Sequence, residues 1–115
     1  MSTTIFEFGD IILVPFPFTN QTASKRRPAV VVSRPSFHDR RPDLILMAVT
    51  SQVRTPPLTG EVVLGDWQAA GLLKPSVVKP VVMTIEKSLV LRRLGRLNAG
   101  DRQAVSALLQ QILGE

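Results

Sequence analysis

Three consecutive cations lie directly before a run of valines. In the segment SKRRPAVVVS, Lys25, Arg26 and Arg27 precede Pro28. Proline has a fixed φ and no N–H, and the Val-rich run that follows it is typical of a strand, which we expect to extend from Pro28 to Ser33. A guanidinium at the start of a strand presents five donors in a planar fork from a rigid position. The segment therefore predicts a phosphate-binding site; a solvated turn of cations is the alternative.

A second polar group ends another apolar run. The residues from Leu44 to Thr50 are continuously apolar until Thr50 and predict a strand, and Ser51 and Gln52 follow at its end. The hydroxyl of Thr50, or that of Ser51, can donate to a phosphate oxygen from this position. A phosphodiester bound there would meet a hydroxyl donor, while Arg27 is suited to stabilising charge on the non-bridging oxygens.

Groups for acid–base chemistry are few. His38 is the single histidine, and it lies in the segment 34–43, which is charged and contains two prolines and is therefore predicted as a loop. Histidine side chains in general can act as an acid or base near neutral pH, so His38 is a candidate, although a lone loop histidine is usually a surface residue. Glu61 is a further candidate. Asp39 and Asp43 could bind a metal from one loop, but their spacing defines no cluster, so no metal site is predicted.

The composition limits the possible functions. The chain has 115 residues, 14 Lys and Arg against 9 Asp and Glu, and no Cys. The absence of Cys excludes disulfides, thiolate nucleophiles and sulfur metal ligands, and the basic balance favours a polyanionic partner. The N-terminus lacks the pattern of a signal peptide, and no apolar run has the length of a membrane span, so we expect a soluble, cytoplasmic protein. The length predicts a single domain, residues 1–115.

Nine Pro and seven Gly divide the sequence into short segments, which favours several strands over a helix bundle. A mostly β fold with a C-terminal amphipathic helix from residue 98 to near Gly114 is therefore predicted. Besides the two strands above, the predicted elements are a strand at 11–14 continuing through 15–18, a strand at 61–64, a turn of helix at 65–71, a strand pair or one interrupted strand at 76–85, and a helical turn followed by a strand at 89–97.

Taken together, these motifs resemble one family. The resemblance rests on GDIILVPFPFTN at 9–20, KRRPAVVVS at 25–33, AVTSQ at 48–52, and GLLKPSVVKP with TIEKSLVLRRLGRL within 71–97. Each motif is weak alone, but four in the expected order cover nearly the whole chain. The chain resembles the MazF/PemK toxins of bacterial toxin–antitoxin modules.

This resemblance implies a small SH3-like barrel, of the CcdB/PemK toxin type, with a C-terminal helix. It also implies a sequence-specific endoribonuclease that cleaves single-stranded mRNA without a metal or other cofactor. A cognate antitoxin protein and a homodimer follow from the same resemblance. Carried over by motif, the catalytic residues are Arg27, directly before the proline, and Thr50 of the TSQ motif.

The implied function also defines the chemistry that the site must perform. Metal-free cleavage uses the ribose 2′-hydroxyl as nucleophile and leaves a 2′,3′-cyclic phosphate. Some family members have a Gln or an acidic residue within the strand at 78–83, where this chain has only Lys79 as a polar group, so the general base is unassigned and His38 and Glu61 remain candidates. The resemblance and the charges together also predict the residues that bind RNA. These are Lys25, Arg26, Arg34, Ser51, Gln52, Arg54 and Lys79.

A non-catalytic protein on the same barrel is the alternative. The related CcdB-type poisons of DNA gyrase act through a C-terminal tip that contains Trp, whereas this chain ends in LLQQILGE. A general nucleic-acid-binding SH3-like module explains the charge, but it has no use for Thr50 beside Arg27. The endoribonuclease is therefore the leading hypothesis.

Overall fold

The computed structural model describes residues 5–16 and 25–114, and their strands form one antiparallel sheet. Six strands follow the order β4-β5-β3-β2-β1-β6 and curl into a half-barrel, which confirms the mostly β fold with a C-terminal helix. Neither helix in these ranges is long and apolar enough to cross a membrane. The elements are β1 (Asp10–Phe16), β2 (Lys25–Val31), α1 (Pro35–His38), β3 (Asp43–Thr50), β4 (Val62–Val63), β5 (Val77–Glu86), a 3-10 turn (Lys87–Leu89), β6 (Arg92–Arg96) and α2 (Ala99–Ile112).

The sheet buries apolar side chains on both of its faces. Because side chains alternate along a strand, neighbouring residues of β1 and β2 enter different cores. Ile11 and Val30 pack beneath α2 with Val105, whereas Ile12 and Ala29 belong to a second core on the opposite face. Central strands that are apolar on both sides explain the continuous runs of Val, Ile and Leu in the sequence.

The strand β2 begins earlier than predicted. We expected it to start at Pro28, but it starts at Lys25, because β1 continues far enough to pair with the cations. Val14 lies opposite Arg27, and Phe16 lies opposite Lys25. The cations are therefore inside the ladder and are held more rigidly than residues of a preceding loop. Residues 17 and 18, which were predicted to extend β1, lie outside the described residues.

One of two predicted connections differs from the structure. The segment 34–43 is not a continuous loop: Pro35 begins the short helix α1, since proline fits the first helical turn, where its missing N–H costs nothing. The segment 65–71 forms hydrogen-bonded turns rather than a regular helix; the N–H of Ala70 donates to the carbonyl oxygen of Asp66 at 3.3 Å, which gives the predicted single turn of helix. Gly71 ends it with a φ of +84°, a conformation that a helix does not contain.

The strand β5 is continuous in spite of an internal proline. Of the two possibilities left open for 76–85, the structure shows one strand, Val77–Glu86. Its register against β3 shifts between Met47 and Val49, so that extra residues of β5 around Pro80 bulge outward. A bulge leaves ladder positions unpaired, which is why proline is tolerated there.

Side chains in the first turn of α2 cap the helix and attach it to the loop before β5. The side chain of Asn98 accepts from the N–H of Asp101 at 2.8 Å, which confirms the predicted helix start. The buried carboxylate of Asp101 in turn accepts from the N–H groups of Gly65 and Asp66, at 3.0 and 3.1 Å. The segment that follows Asp66 is thereby fixed relative to the helix.

A buried carboxylate joins the N-terminal segment to β6. Asp10 is fully buried and accepts from Arg96 Nε at 2.9 Å, and Arg93 Nη2 lies 3.2 Å from its second oxygen. The hydrogen bond and the charge of Asp10, together with Glu7, raise the pKa of Arg96. These two arginines therefore stabilise the fold, whereas their neighbour Arg92 is exposed and lies opposite Leu13.

Candidate active site

An open cleft of about 470 Å³ lies where the ends of several strands meet the loop before β5. Side chains from both faces of the sheet reach it, because it lies at the end of the sheet. β1, β2, β3 and β6 all contribute to its wall. The lining residues are Leu13, Arg26, Arg27, Pro28, Val49, Thr50, Ser51, Gln52, Gly71, Leu72, Leu73, Lys74, Ser76, Arg92 and Leu94.

The pairing of β2 with β3 sets Arg27 beside Thr50. The two strands are antiparallel, with Ala29 opposite Ala48. This ladder ends at Ala29 and Ala48, and Arg27 and Thr50 lie two residues beyond it on their strands, at positions that the same register would set opposite each other. Residues opposite each other in an antiparallel pair have Cβ atoms about 4.5–5.5 Å apart and point to the same face. A guanidinium and a hydroxyl can therefore reach one phosphate group.

Local contacts orient both groups. The guanidinium carbon of Arg27 lies 6.0 Å from the ring centroid of Phe16, so that the ring's negative face favours this position of the charge. Thr50 Oγ1 accepts from the N–H of Gln52 at 3.2 Å. This bond occupies a lone pair and leaves the Thr50 hydroxyl hydrogen available to donate to a ligand.

The charge of the cleft is uniformly positive. Its charged lining side chains, among the described residues, are Arg26, Arg27, Lys74 and Arg92. A concave surface that carries charge of one sign concentrates ligands of the opposite sign. The cleft is therefore suited to an extended polyanion, and the arginines offer forked donors that match phosphate oxygens.

Five of the predicted site residues line this cleft together. They comprise the proposed catalytic pair and three RNA-binding residues: Arg26, Arg27, Thr50, Ser51 and Gln52. Sequence reasoning did not include Lys74 and Arg92 in the site. The position of Arg92 depends on the pairing of β1 with β6, and that of Lys74 depends on the close approach of its loop to β6. Both join residues far apart in the chain, and no local pattern indicates them.

The other predicted RNA-binding residues lie elsewhere. Lys25 is exposed at the start of β2, and Arg54 is exposed in the segment between β3 and β4. Arg34 precedes α1 and lines a separate groove beside α2. Lys79 is half-buried in the bulge of β5. The structure thus places none of these four side chains in the wall of the cleft.

The two candidates for acid–base chemistry also lie outside the cleft wall. His38 is fully buried, with Nδ1 2.8 Å from Ser33 Oγ and Nε2 2.6 Å from the carbonyl oxygen of Phe6. Both ring nitrogens are therefore engaged within the fold, in contrast to the surface loop position expected for this residue. Glu61 accepts from the N–H of Leu58 at 2.9 Å and closes a turn.

Metal-ligating side chains do not gather in the described ranges. Within 5–16 and 25–114, no three side chains of His, Cys, Asp or Glu lie together in a way that could hold a metal ion. Asp43, considered above as a ligand, instead accepts from Arg41 Nε at 2.9 Å. That hydrogen bond and the charge of Arg41 lower the pKa of Asp43.

Several solved structures share this fold. MazF from Deinococcus radiodurans has 21% identity and a TM-score of 0.76, and the match covers 98% of this chain and 100% of that one. The Mycobacterium tuberculosis toxin MazF-mt6 has 23% identity and a TM-score of 0.71, covering 89% and 93%. A mycobacterial endoribonuclease in complex with its cognate antitoxin has 15% identity and a TM-score of 0.71, covering 95% and 93%.

Comparison at the level of sequence families gives the assignment. A search of curated protein sequences gives no significant match. The family model of PemK-like, MazF-like toxins of type II toxin–antitoxin systems, however, matches residues 7–113, nearly the whole chain. The motifs singled out in the sequence and the half-barrel architecture agree with that match. The chain therefore belongs to the PemK-like, MazF-like toxin family of type II toxin–antitoxin systems.

Proposed function

We propose that the protein is a sequence-specific, metal-independent endoribonuclease that cleaves single-stranded mRNA as the toxin of a toxin–antitoxin module. The observation that carries this proposal is that Arg27 and Thr50, from the adjoining strands β2 and β3, line one cleft whose charged lining side chains are cations. Membership of the toxin family supports it. A non-catalytic nucleic-acid-binding module would need the cations but not a hydroxyl donor beside them.

The proposed reaction is an attack by the ribose 2′-hydroxyl oxygen on the adjacent phosphorus. The new P–O2′ bond forms as the 2′-hydroxyl loses its proton to solvent, the P–O5′ bond breaks as the 5′ oxygen takes up a proton from solvent, and the products are a 2′,3′-cyclic phosphate and a 5′-hydroxyl. Arg27 stabilises the negative charge that develops on the non-bridging oxygens, and Thr50 donates a hydrogen bond to one of them. The described lining residues include no His, Cys, Asp or Glu, so we assign no general base within the cleft wall.

The partners proposed for this chain are RNA, an antitoxin and a second copy of itself. The cationic cleft would accept an acidic antitoxin segment in place of RNA phosphates, because both present closely spaced negative charge. A solved endoribonuclease with the same fold is in complex with its cognate antitoxin. We further propose that the chain is one domain over 1–115, acts as a homodimer, and works in the cytoplasm, where its mRNA substrate is.

Incubation of the purified protein with a long synthetic RNA in the presence of EDTA tests this function. We expect discrete fragments with 5′-hydroxyl ends and 2′,3′-cyclic phosphates, because the proposed chemistry uses the 2′-hydroxyl and no metal. Mapping of the 5′ ends then gives the recognition sequence. An intact RNA would contradict the proposal, and inhibition of DNA gyrase by the same preparation would favour the CcdB-like alternative.

The burial of His38 gives a second prediction. His38→Asn is expected to lower the free energy of unfolding by about 2–3 kcal/mol, because the Phe6 carbonyl and the Ser33 hydroxyl lose a buried partner. The rate of RNA cleavage and its pH dependence are expected to stay unchanged below the unfolding transition. Urea unfolding and cleavage assays across pH 6–8 measure the two effects. A folded variant without turnover would show that His38 acts in catalysis.

A further inference from the structure

The wall of the cleft formed by β6 and the loop before β5 carries two cations. Arg92 is exposed in β6, opposite Leu13 of β1, and Lys74 is exposed in the loop. Within the described part of the chain, neither has an acidic partner in an ion pair, whereas Arg93 and Arg96 both pair with Asp10. The cleft thus holds uncompensated charge on the side that Arg27 and Thr50 do not occupy.

The position of Lys74 is fixed by close backbone packing. At Gly71 and Gly95 the loop and β6 approach so closely that a Cβ atom at Gly71 would lie 2.6 Å from the carbonyl carbon of Leu94. Three residues farther on, the carbonyl oxygen of Lys74 accepts from Ser76 Oγ at 2.8 Å. The backbone that carries Lys74 thus lies between the crossing at Gly71 and the start of β5 at Val77, close to the strand that carries Arg92.

Four cations around one open cleft repel one another unless an anion lies between them. Arg27 and Arg26 belong to β2, while Lys74 and Arg92 belong to the opposite wall. A single phosphate at Arg27 and Thr50 would neutralise only one side. The cleft volume of about 470 Å³ falls within the range of roughly 300–1,000 Å³ typical of ligand sites, which leaves room for more than one phosphate.

We propose that Lys74 and Arg92 form a second phosphate-binding subsite, which holds a backbone phosphate adjacent to the scissile one. This inference rests on the proposed endoribonuclease function and names two residues that bind its substrate. The subsite positions the strand: it contributes to the affinity for RNA and sets which linkage lies at Arg27 and Thr50. It does not touch the reacting atoms, so its loss changes KM rather than kcat.

Binding of an RNA that cannot be cleaved tests the subsite. The probe is a short fluorescein-labelled RNA of randomised sequence with 2′-O-methyl groups throughout, which lacks the nucleophile. We expect Arg92→Gln and Lys74→Gln each to weaken binding by about tenfold, the usual loss for a charge-assisted hydrogen bond. The slope of log K against log salt is expected to decrease in magnitude by about 0.7 for each variant. Fluorescence anisotropy over a salt series measures both.

A matched variant controls for the loss of charge alone. Arg102→Gln removes the same charge from α2, and Arg102 does not line the cleft. We expect the affinity and salt slope of this variant to equal those of the original protein. Arg92→Lys is expected to recover part of the affinity, because a cation remains. Thermal unfolding must show that every variant has the stability of the original protein, since both replaced cations are exposed.

The outcomes separate this subsite from the function on which it rests. On cleavable RNA, the subsite predicts a KM raised about tenfold with kcat retained. If no RNA is cleaved but Arg92→Gln and Lys74→Gln still weaken binding of the probe, the subsite is supported and the endoribonuclease proposal fails. If RNA is cleaved while affinity, salt slope and KM match those of Arg102→Gln, the subsite is overturned.

Discussion

Arg27→Ala is expected to reduce the rate constant for RNA cleavage by about 10²–10³-fold, the loss typical of removing one preorganised donor from a site of developing charge. The guanidinium is exposed at the cleft and makes no ion pair among the described residues, so its removal leaves the core intact. Single-turnover cleavage of a mapped RNA site measures the rate, and urea unfolding checks that stability is retained.

The matched variant Arg27→Lys separates charge from geometry. Lysine keeps the positive charge but presents no planar fork, and it cannot make two parallel bonds to a phosphate. We therefore expect a cleavage rate between those of the original protein and Arg27→Ala. Cleavage at the original rate by a folded Arg27→Ala protein would remove this residue from the proposed mechanism.

Gly71→Ala is expected to lower the free energy of unfolding by about 3–5 kcal/mol, a loss found only for a few mechanisms such as backbone overlap and overpacking. The added methyl group would overlap the carbonyl group of Leu94, and the φ of +84° disfavours any side chain. Neither the loop nor β6 can move freely, because Gly95 meets the backbone of Ala70 at the same crossing. Urea denaturation measures the change.

Gly100→Ala is the control for this prediction. Nothing lies closer than 3.7 Å to a Cβ atom at Gly100, and the residue lies in the first turn of α2. Alanine favours a helix over glycine by up to about 1 kcal/mol, so this variant is expected to be neutral or slightly more stable. If Gly71→Ala unfolded at the same urea concentration as Gly100→Ala, the tight crossing would not describe the protein in solution.

The apolar runs of the sequence predicted the central strands because these strands are buried on both faces. The boundaries of the strands were harder to predict, because a strand ends where its pairing with the neighbouring strand ends. β2 begins at Lys25 because β1 continues to Phe16 and pairs with it, and the KRRP motif alone does not indicate that pairing. Pro80 was compatible with one strand or two, and only the register shift against β3 distinguishes them.

The sequence predicted the part of the candidate site that lies in short, recognisable motifs. Arg27 and Thr50 each lie in a short recognisable motif, and the structure brings both to one cleft. Lys74 and Arg92 join them through contacts between distant segments, which a single sequence does not show. His38 was predicted to lie in a surface loop. Its burial depends on a contact with Phe6, which precedes β1 and is distant in the chain, so the residues around His38 do not indicate it.

The register of β2 against β3 has a consequence for the proposed activity of the protein. A slip of one residue would turn one member of the Arg27–Thr50 pair to the other side of the sheet. With the roles proposed for these two residues, cleavage of RNA would begin only once the ladder has formed in the correct register, and misregistered copies would be inactive.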